Sequence, residues 1–124
     1  MHIFKTRLFA KWAHKENVSD ASLFQAIQEM ERGIIDADLG GYVYKKRIPL
    51  SGRGKRGGAR NIIVYKAHEK AFFIFGYAKN EKSTISLEEK KIAKALAKEL
   101  LSYSSMQLNE LVVQGKLIEV VCYE

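Results

Sequence analysis

The sequence has little cysteine and little proline, and it has no long hydrophobic run. Its single cysteine, Cys122, excludes an intramolecular disulfide and a multi-cysteine zinc site, and it is typical of a reducing compartment. One proline and nine glycines in 124 residues exclude collagen-like and proline-rich proteins. No stretch approaches the ~18 apolar residues of a membrane span. Lys5, Arg7 and Lys11 interrupt the apolar stretch that a signal peptide requires. We therefore expect a soluble, cytoplasmic protein without a membrane partner.

The sequence also lacks the residue clusters on which most metal and nucleophile chemistry depends. His2, His14 and His68 are too far apart to form a ligand pair, and no metalloprotease or nucleophile-elbow motif is present. The carboxylates fall mostly on predicted helices, where they balance lysines. We therefore predict no bound metal and no cofactor, and we expect each histidine to lie at the surface.

Positive charge is present in excess, and it is concentrated. The net charge is +7, and residues 45–70 alone contain nine Lys or Arg residues against one acid, Glu69. The rest of the chain is nearly neutral. Charge focused in this way favours a polyanionic partner, most often the phosphates of a nucleic acid, over a merely solvated surface.

Hydrophobic periodicity predicts one α/β domain over residues 1–124, in the order β-α-α-β-β-β-α-α-β. A first strand covers residues 2–5, and Thr6 and Ser19 cap two helices. Residues 36–41 resemble a turn, residues 42–48 form a strand that Pro49 stops, and residues 51–59 form a loop. Residues 60–67 and 70–78 form an antiparallel hairpin. Helices begin at Ser86 and at Ser104 or Ser105, and a last strand covers residues 117–123, where we expect Cys122 to be buried.

The loop over residues 51–60 combines four glycines with basic side chains. It matches the dinucleotide pattern G-x-G-x-x-G, but that pattern functions between a strand and a helix, and here a strand follows. What remains is a backbone that can approach phosphates closely and that carries Arg53, Lys55 and Arg56 and leads to Arg60. Guanidinium groups bind phosphate oxygens bidentately, so phosphate binding is favoured over a plain hairpin tip.

A second cluster lies at the end of the following apolar strand, in residues 76–82. Tyr77 and Lys79 are two residues apart and should project from the same face of the sheet, together with Phe73 and Phe75. A tyrosine beside a lysine can stack on a base and contact its phosphate. The sequence leaves open whether Tyr77 does this or belongs to the core.

Basic residues alone can support RNA cleavage. The ribose 2′-OH is the nucleophile, and a protein has to align it, stabilise the charge of the phosphorane and move protons. A lysine can act as the base when positive neighbours lower its pKa. DNA lacks the 2′-OH and is not a substrate for this route.

Taken together, the two clusters resemble those of a known family. The run over residues 54–60, followed by an apolar hairpin that ends at residues 76–81, resembles the RelE/ParE toxin superfamily and is most similar to its HigB-like branch. Residues 4–12 and 36–41 are also similar to that branch, and the resemblance covers roughly residues 3–101. It implies a RelE-like α+β fold, with the N-terminal helices packed on one side of a small antiparallel sheet. Residues 102–124 form a C-terminal helical and strand extension, which either completes the sheet or binds an antitoxin.

The resemblance implies a type II toxin that acts as an mRNA interferase. Such a protein cleaves ribosome-bound mRNA without metal, inhibits translation and arrests growth, and a cognate antitoxin of the helix-turn-helix type neutralises it. The residues that match the two family motifs are predicted to be catalytic or RNA-binding. The catalytic candidates are Lys55, Arg56, Arg60 and Lys79, and the RNA-binding candidates are Arg53, Tyr77, Asn80 and, outside both motifs, Lys46. The alternatives are a non-catalytic nucleic-acid-binding module and a ParE-like inhibitor of DNA gyrase.

Overall fold

A computed structural model describes residues 1–50, 54–78 and 85–121, with residues 54–57 as backbone only. This part of the chain contains four helices and a six-stranded sheet. The strands are β1 (His2–Thr6), β2 (Ala37–Gly40), β3 (Val43–Leu50), β4 (Gly54–Lys66), β5 (Lys70–Ala78) and β6 (Leu117–Glu119). The helices are α1 (Arg7–Lys15), α2 (Asp20–Glu31), α3 (Leu87–Ser102) and α4 (Ser105–Val113). The predicted mixed α/β fold is confirmed.

Each helix begins at a hydroxyl side chain that accepts a hydrogen bond from a backbone N–H of the first turn. The N-caps are Thr6, Ser19, Ser86 and Ser104. At Ser86 and Ser104 a Glu or Gln three residues on bonds back to the N-cap nitrogen, which completes a capping box. These starts were predictable because the cap depends on residues close together in the chain.

The order of the strands is β2-β3-β4-β5-β1-β6, and all neighbouring pairs are antiparallel except one. Strand β1 lies parallel to β5, with His2 opposite Lys70, and antiparallel to β6. The expected purely antiparallel sheet is therefore wrong in this detail, because β1 is inserted between two strands that come much later in the chain. Strand β6 completes the sheet, which is one of the two roles considered for the C-terminal extension.

Helices cover both faces of the sheet. Helices α1 and α2 pack on one face, here called the N-face, over a core that includes Phe9, Leu23 and Phe73. Helices α3 and α4 pack on the other, the C-face, over a core that includes Phe72 and Ala97. The expectation that the N-terminal helices lie on one side of the sheet is confirmed, since α1 and α2 both pack on the N-face. Helix α3 and the extension together cover the C-face, which would otherwise expose apolar side chains to water.

Two local predictions are wrong where strands continue through glycine or proline. Strand β3 passes through Pro49, because β2 pairs only with residues 43–45 and the missing N–H points to the open edge. Strand β4 begins at Gly54, whose Cα partner is Leu50, so most of the expected loop is strand. The expected turn at residues 36–41 contains β2, joined to β3 through Gly41 and Tyr42, both with positive φ. The end of the last predicted strand, including Cys122, lies outside the described residues.

A β-bulge at Ile74 changes which side chains share a face. Ile62 lies opposite Phe75 and Ile63 lies opposite Phe73, so Ile74 is the extra residue of β5. Phe73 consequently packs in the N-face core, whereas Phe75 and Tyr77 belong to the C-face. The expected common face of Phe73 and Tyr77 is wrong, because one inserted residue inverts the alternation.

Gly76 permits a close approach between β5 and α1. A Cβ atom at position 76 would overlap Cε3 of Trp12, so the indole occupies the space of a side chain. We expect Gly76→Ala to destabilise the fold by about 1–3 kcal/mol through overpacking. The measurement is urea unfolding of Gly76→Ala, Trp12→Leu and the double variant. If the alanine costs as much in the Trp12→Leu background as in the wild type, the contact with the indole is not the cause.

Candidate functional site

The structure brings together two of the predicted site residues, Arg60 and Tyr77. They are directly opposite on β4 and β5, and their side chains share the C-face. Strand β5 ends at Ala78, whose Cα partner is Ala59, so the two sequence motifs meet at one end of the β4–β5 ladder. The pairing register of the β4–β5 hairpin therefore brings the two motifs together.

Arg60 is a buried cation with an unsatisfied donor. Its side chain is 8% exposed, and among the described residues no acceptor lies within hydrogen-bonding distance of its buried Nη1. A guanidinium is always charged and carries only donors, so an unpaired N–H away from water is unfavourable. An oxyanion is the kind of group that would supply an acceptor and an opposite charge to this guanidinium.

Tyr77 is a core residue as well as a neighbour of Arg60. Its side chain is 3% exposed and packs in the C-face core. Burial raises the pKa of Tyr77 above its ordinary value of 10.0; the positive charge of Arg60 opposes this shift and the negative charge of Glu89 adds to it. The hydroxyl is therefore protonated at neutral pH. Because the ring is covered, the predicted stacking of a base on Tyr77 requires correction.

Glu89 is a third ionisable group at this place, and the sequence marked it only as part of a helix cap. It lies in the first turn of α3, where its Oε1 accepts a hydrogen bond from the Ser86 nitrogen at 2.9 Å. Its negative charge contributes to the raised pKa of Tyr77. A capping box alone carries no functional signal, so only the packing of α3 on the C-face could reveal Glu89 as a neighbour of the site.

Lys46 lies on the opposite face of the sheet from Arg60. Its side chain is 2% exposed, and its Nζ donates a hydrogen bond of 2.7 Å to Oε1 of Glu29 on α2. A buried ammonium held by a carboxylate under α1 and α2 cannot contact an RNA strand bound near Arg60. The prediction that Lys46 binds RNA therefore requires correction, and we assign this lysine to the N-face core.

Other polar groups are buried beside Lys46. Asn61, its Cα partner on β4, is 0% exposed, and neither polar atom of its amide has a hydrogen-bond partner among the described residues. The same holds for Nε1 of Trp12. The N-face core thus combines an ion pair with poorly satisfied amide and indole groups, which makes it sensitive to substitution.

The remaining candidates cannot be placed by their side chains. Lys55 and Arg56 belong to β4 as backbone, and Arg53, Lys79 and Asn80 lie outside the described residues. His2, His14 and His68 are exposed, as predicted.

Within the described ranges no group of three His, Cys, Asp or Glu side chains could hold a metal ion, and no helix is long and apolar enough to cross a membrane.

Comparison with protein families assigns the chain. The family described as the RelE toxin of the RelE/RelB toxin–antitoxin system matches residues 1–120. The chain belongs to the RelE toxin family. As a RelE-family toxin it is one component of a toxin–antitoxin system and has an antitoxin as its partner. The match extends over β6, so the extension that completes the sheet lies within the family's span. No curated protein matches the chain.

Proposed function

We propose that this RelE-family toxin is a metal-independent endoribonuclease of the HigB-like branch that cleaves ribosome-bound mRNA in the cytoplasm. The chain would act as a single domain, and a helix-turn-helix antitoxin would neutralise it. The observation that supports the proposal most directly is Arg60, a buried guanidinium whose Nη1 has no acceptor among the described residues. A phosphate of the RNA backbone is the ligand that this donor fits best.

The proposed reaction uses the RNA's own nucleophile. The 2′-oxygen attacks the adjacent phosphorus, the bond to the 5′-oxygen breaks, and the products are a 2′,3′-cyclic phosphate and a 5′-hydroxyl. One proton leaves the 2′-OH and one joins the leaving oxygen. Arg60 stabilises the added negative charge of the phosphorane. A lysine of the two motifs, Lys55 or Lys79, takes up the first proton, and Arg56 acts with Arg60 on the phosphorane. Arg53 and Asn80 hold the strand.

Tyr77 supports Arg60 in this proposal without acting as a base. Its raised pKa keeps the hydroxyl protonated at neutral pH, so it cannot accept the proton of the 2′-OH. The packed ring instead fixes the cross-strand position of Arg60. A guanidinium held in this way needs little reorganisation when the charge develops.

Expression of the chain without an antitoxin tests the proposal. We expect growth arrest within a few generations and discrete new 5′ ends on translated mRNAs, detected by primer extension. Arg60→Ala expressed to the same soluble level is the control. Normal growth with soluble wild-type protein would contradict the toxin proposal. Arrest without new 5′ ends but with loss of supercoiling activity would indicate the gyrase alternative, and RNA binding without either effect would indicate the non-catalytic module.

A further inference from the structure

Helix α3 carries four lysines on one side. At 3.6 residues per turn, Lys90, Lys91, Lys94 and Lys98 fall within a sector of about 100° around the helix axis. Three of them are exposed and Lys90 is half-buried. We call this set the α3 lysine face. Its members are spread over about 12 Å of helix, because each residue rises about 1.5 Å.

The charge of the α3 lysine face is not neutralised by any carboxylate of the described residues. None of its four ammonium groups is in an ion pair within that part of the chain. Glu88 and Glu99 lie on a different side of the helix, and Oε1 of Glu99 accepts a hydrogen bond of 2.7 Å from the Tyr103 hydroxyl. Like charges at a spacing of four residues destabilise a helix. The lysines therefore weaken α3 by themselves and favour a polyanion that offsets their repulsion.

The α3 lysine face begins near the candidate site, at the start of α3, and runs away from it towards the β2–β3 turn. The side chain of Lys94 extends over Gly40 and Gly41 at the β2–β3 turn, with its Nζ 3.4 Å from the position of a Cβ on Gly40. At the start of the same helix, Glu89 is close enough to influence Tyr77. Lys45, opposite Ile62 on the C-face, adds a further charge near Arg60. Positive charge thus extends from the site along α3.

We propose that the α3 lysine face binds the phosphate backbone of RNA outside the nucleotide that is cleaved. This proposal rests on the proposed function and adds to it a second contact surface. Lysines present point charges that bind phosphates without reading sequence. The RNA is either a flanking part of the cleaved strand or structured RNA of the ribosome; both offer the same backbone chemistry. Each neutralised phosphate releases counterions, so binding through this face depends on salt.

A matched pair of double variants tests the proposal. Lys94→Gln/Lys98→Gln removes two charges from the α3 lysine face. Lys11→Gln/Lys15→Gln removes two exposed charges at the same spacing from α1. Binding is measured against a 2′-O-methyl RNA 16-mer, which cannot be cleaved, and against ribosomes without mRNA. We expect the α3 variant to lower the slope of log K against log salt by about 1.5, at roughly 0.7–0.9 for each lost contact, and the α1 variant to leave it unchanged.

The outcomes separate the possible sources and the two proposals. A loss on the 16-mer assigns the surface to the cleaved strand, and a loss on ribosomes alone assigns it to ribosomal RNA. Equal slopes for both variants on both ligands would overturn the proposal. Polyglutamate serves as a third, acidic ligand, and a loss of binding confined to it would also overturn the proposal, because it would indicate an acidic protein as the partner. Because neither ligand has to be cut, absence of cleavage by the wild type would refute the endoribonuclease and leave this binding result intact. Thermal melts of the two variants must agree, so that unfolding is excluded.

Discussion

Arg60→Ala should lower the rate of RNA cleavage on the order of a hundredfold or more without lowering the stability of the fold. The first effect follows because, in the mechanism we propose, Arg60 stabilises the negative charge of the phosphorane. The second follows because a buried guanidinium with an unsatisfied donor is unfavourable, so its removal should leave the free energy of unfolding unchanged or raise it. Loss of activity with retained or increased stability is a combination that a merely structural residue does not produce.

The measurement combines primer extension with urea unfolding. Arg32→Ala is the matched control, since it removes the same side chain from an exposed position at the end of α2. It should change neither activity nor stability. Arg60→Lys keeps the charge but loses the two-pronged geometry, and we expect an intermediate rate. Full activity of Arg60→Ala would place the site elsewhere, and a large loss of stability would make Arg60 a structural residue.

Lys46→Ala should have the opposite effect and destabilise the protein by about 3–5 kcal/mol, the usual cost of breaking a buried ion pair. The carboxylate of Glu29, in a side chain 9% exposed, would lose a hydrogen bond of 2.7 Å, and a cavity would form beside Asn61. Domains of this size are stable by only about 5–15 kcal/mol, so the variant should unfold at a much lower urea concentration.

Lys45→Ala provides the neighbouring control. Lys45 is half-buried on the C-face and makes no ion pair with a described residue, so its loss should cost under about 1 kcal/mol. The pair of variants also decides between two roles for Lys46. If Lys46→Ala unfolds with the wild-type midpoint but binds RNA less tightly, the role predicted from sequence is right and the structural role is wrong.

The features that the sequence predicted well depend on neighbouring residues. The four N-caps, and the turn at His68 and Glu69 between β4 and β5, follow from local chemistry. The hairpin predicted between the two family motifs is also present, and its register places Arg60 opposite Tyr77. Local patterns can identify such elements because each is formed by a few adjacent residues.

The features that the sequence missed depend on contacts between distant residues. Alternation defines two faces of a strand, but it does not say which helices will cover each face or where a bulge inverts the pattern. The sequence did contain evidence for the position of Lys46. Alternate residues of a strand point to the same face, so Lys46 lies on the apolar face of β3 together with Tyr44, Ile48 and Leu50. The nine positive charges of residues 45–70 obscured that evidence. The parallel pairing of β1 with β5 has no local signature at all.

The position of β1 between β5 and β6 determines when the protein can finish folding during its own synthesis. The ribosome makes β1 first, but β5 follows only after residue 70 and β6 only after residue 117. Contacts so distant in the chain close slowly and late. A nascent chain that already carries Arg60 and Tyr77 still has β1 with one edge open, and it still lacks Leu117 of the C-face core. Residue 119 must therefore be synthesised before the sheet can be completed. The completely folded toxin cannot form earlier in its own translation.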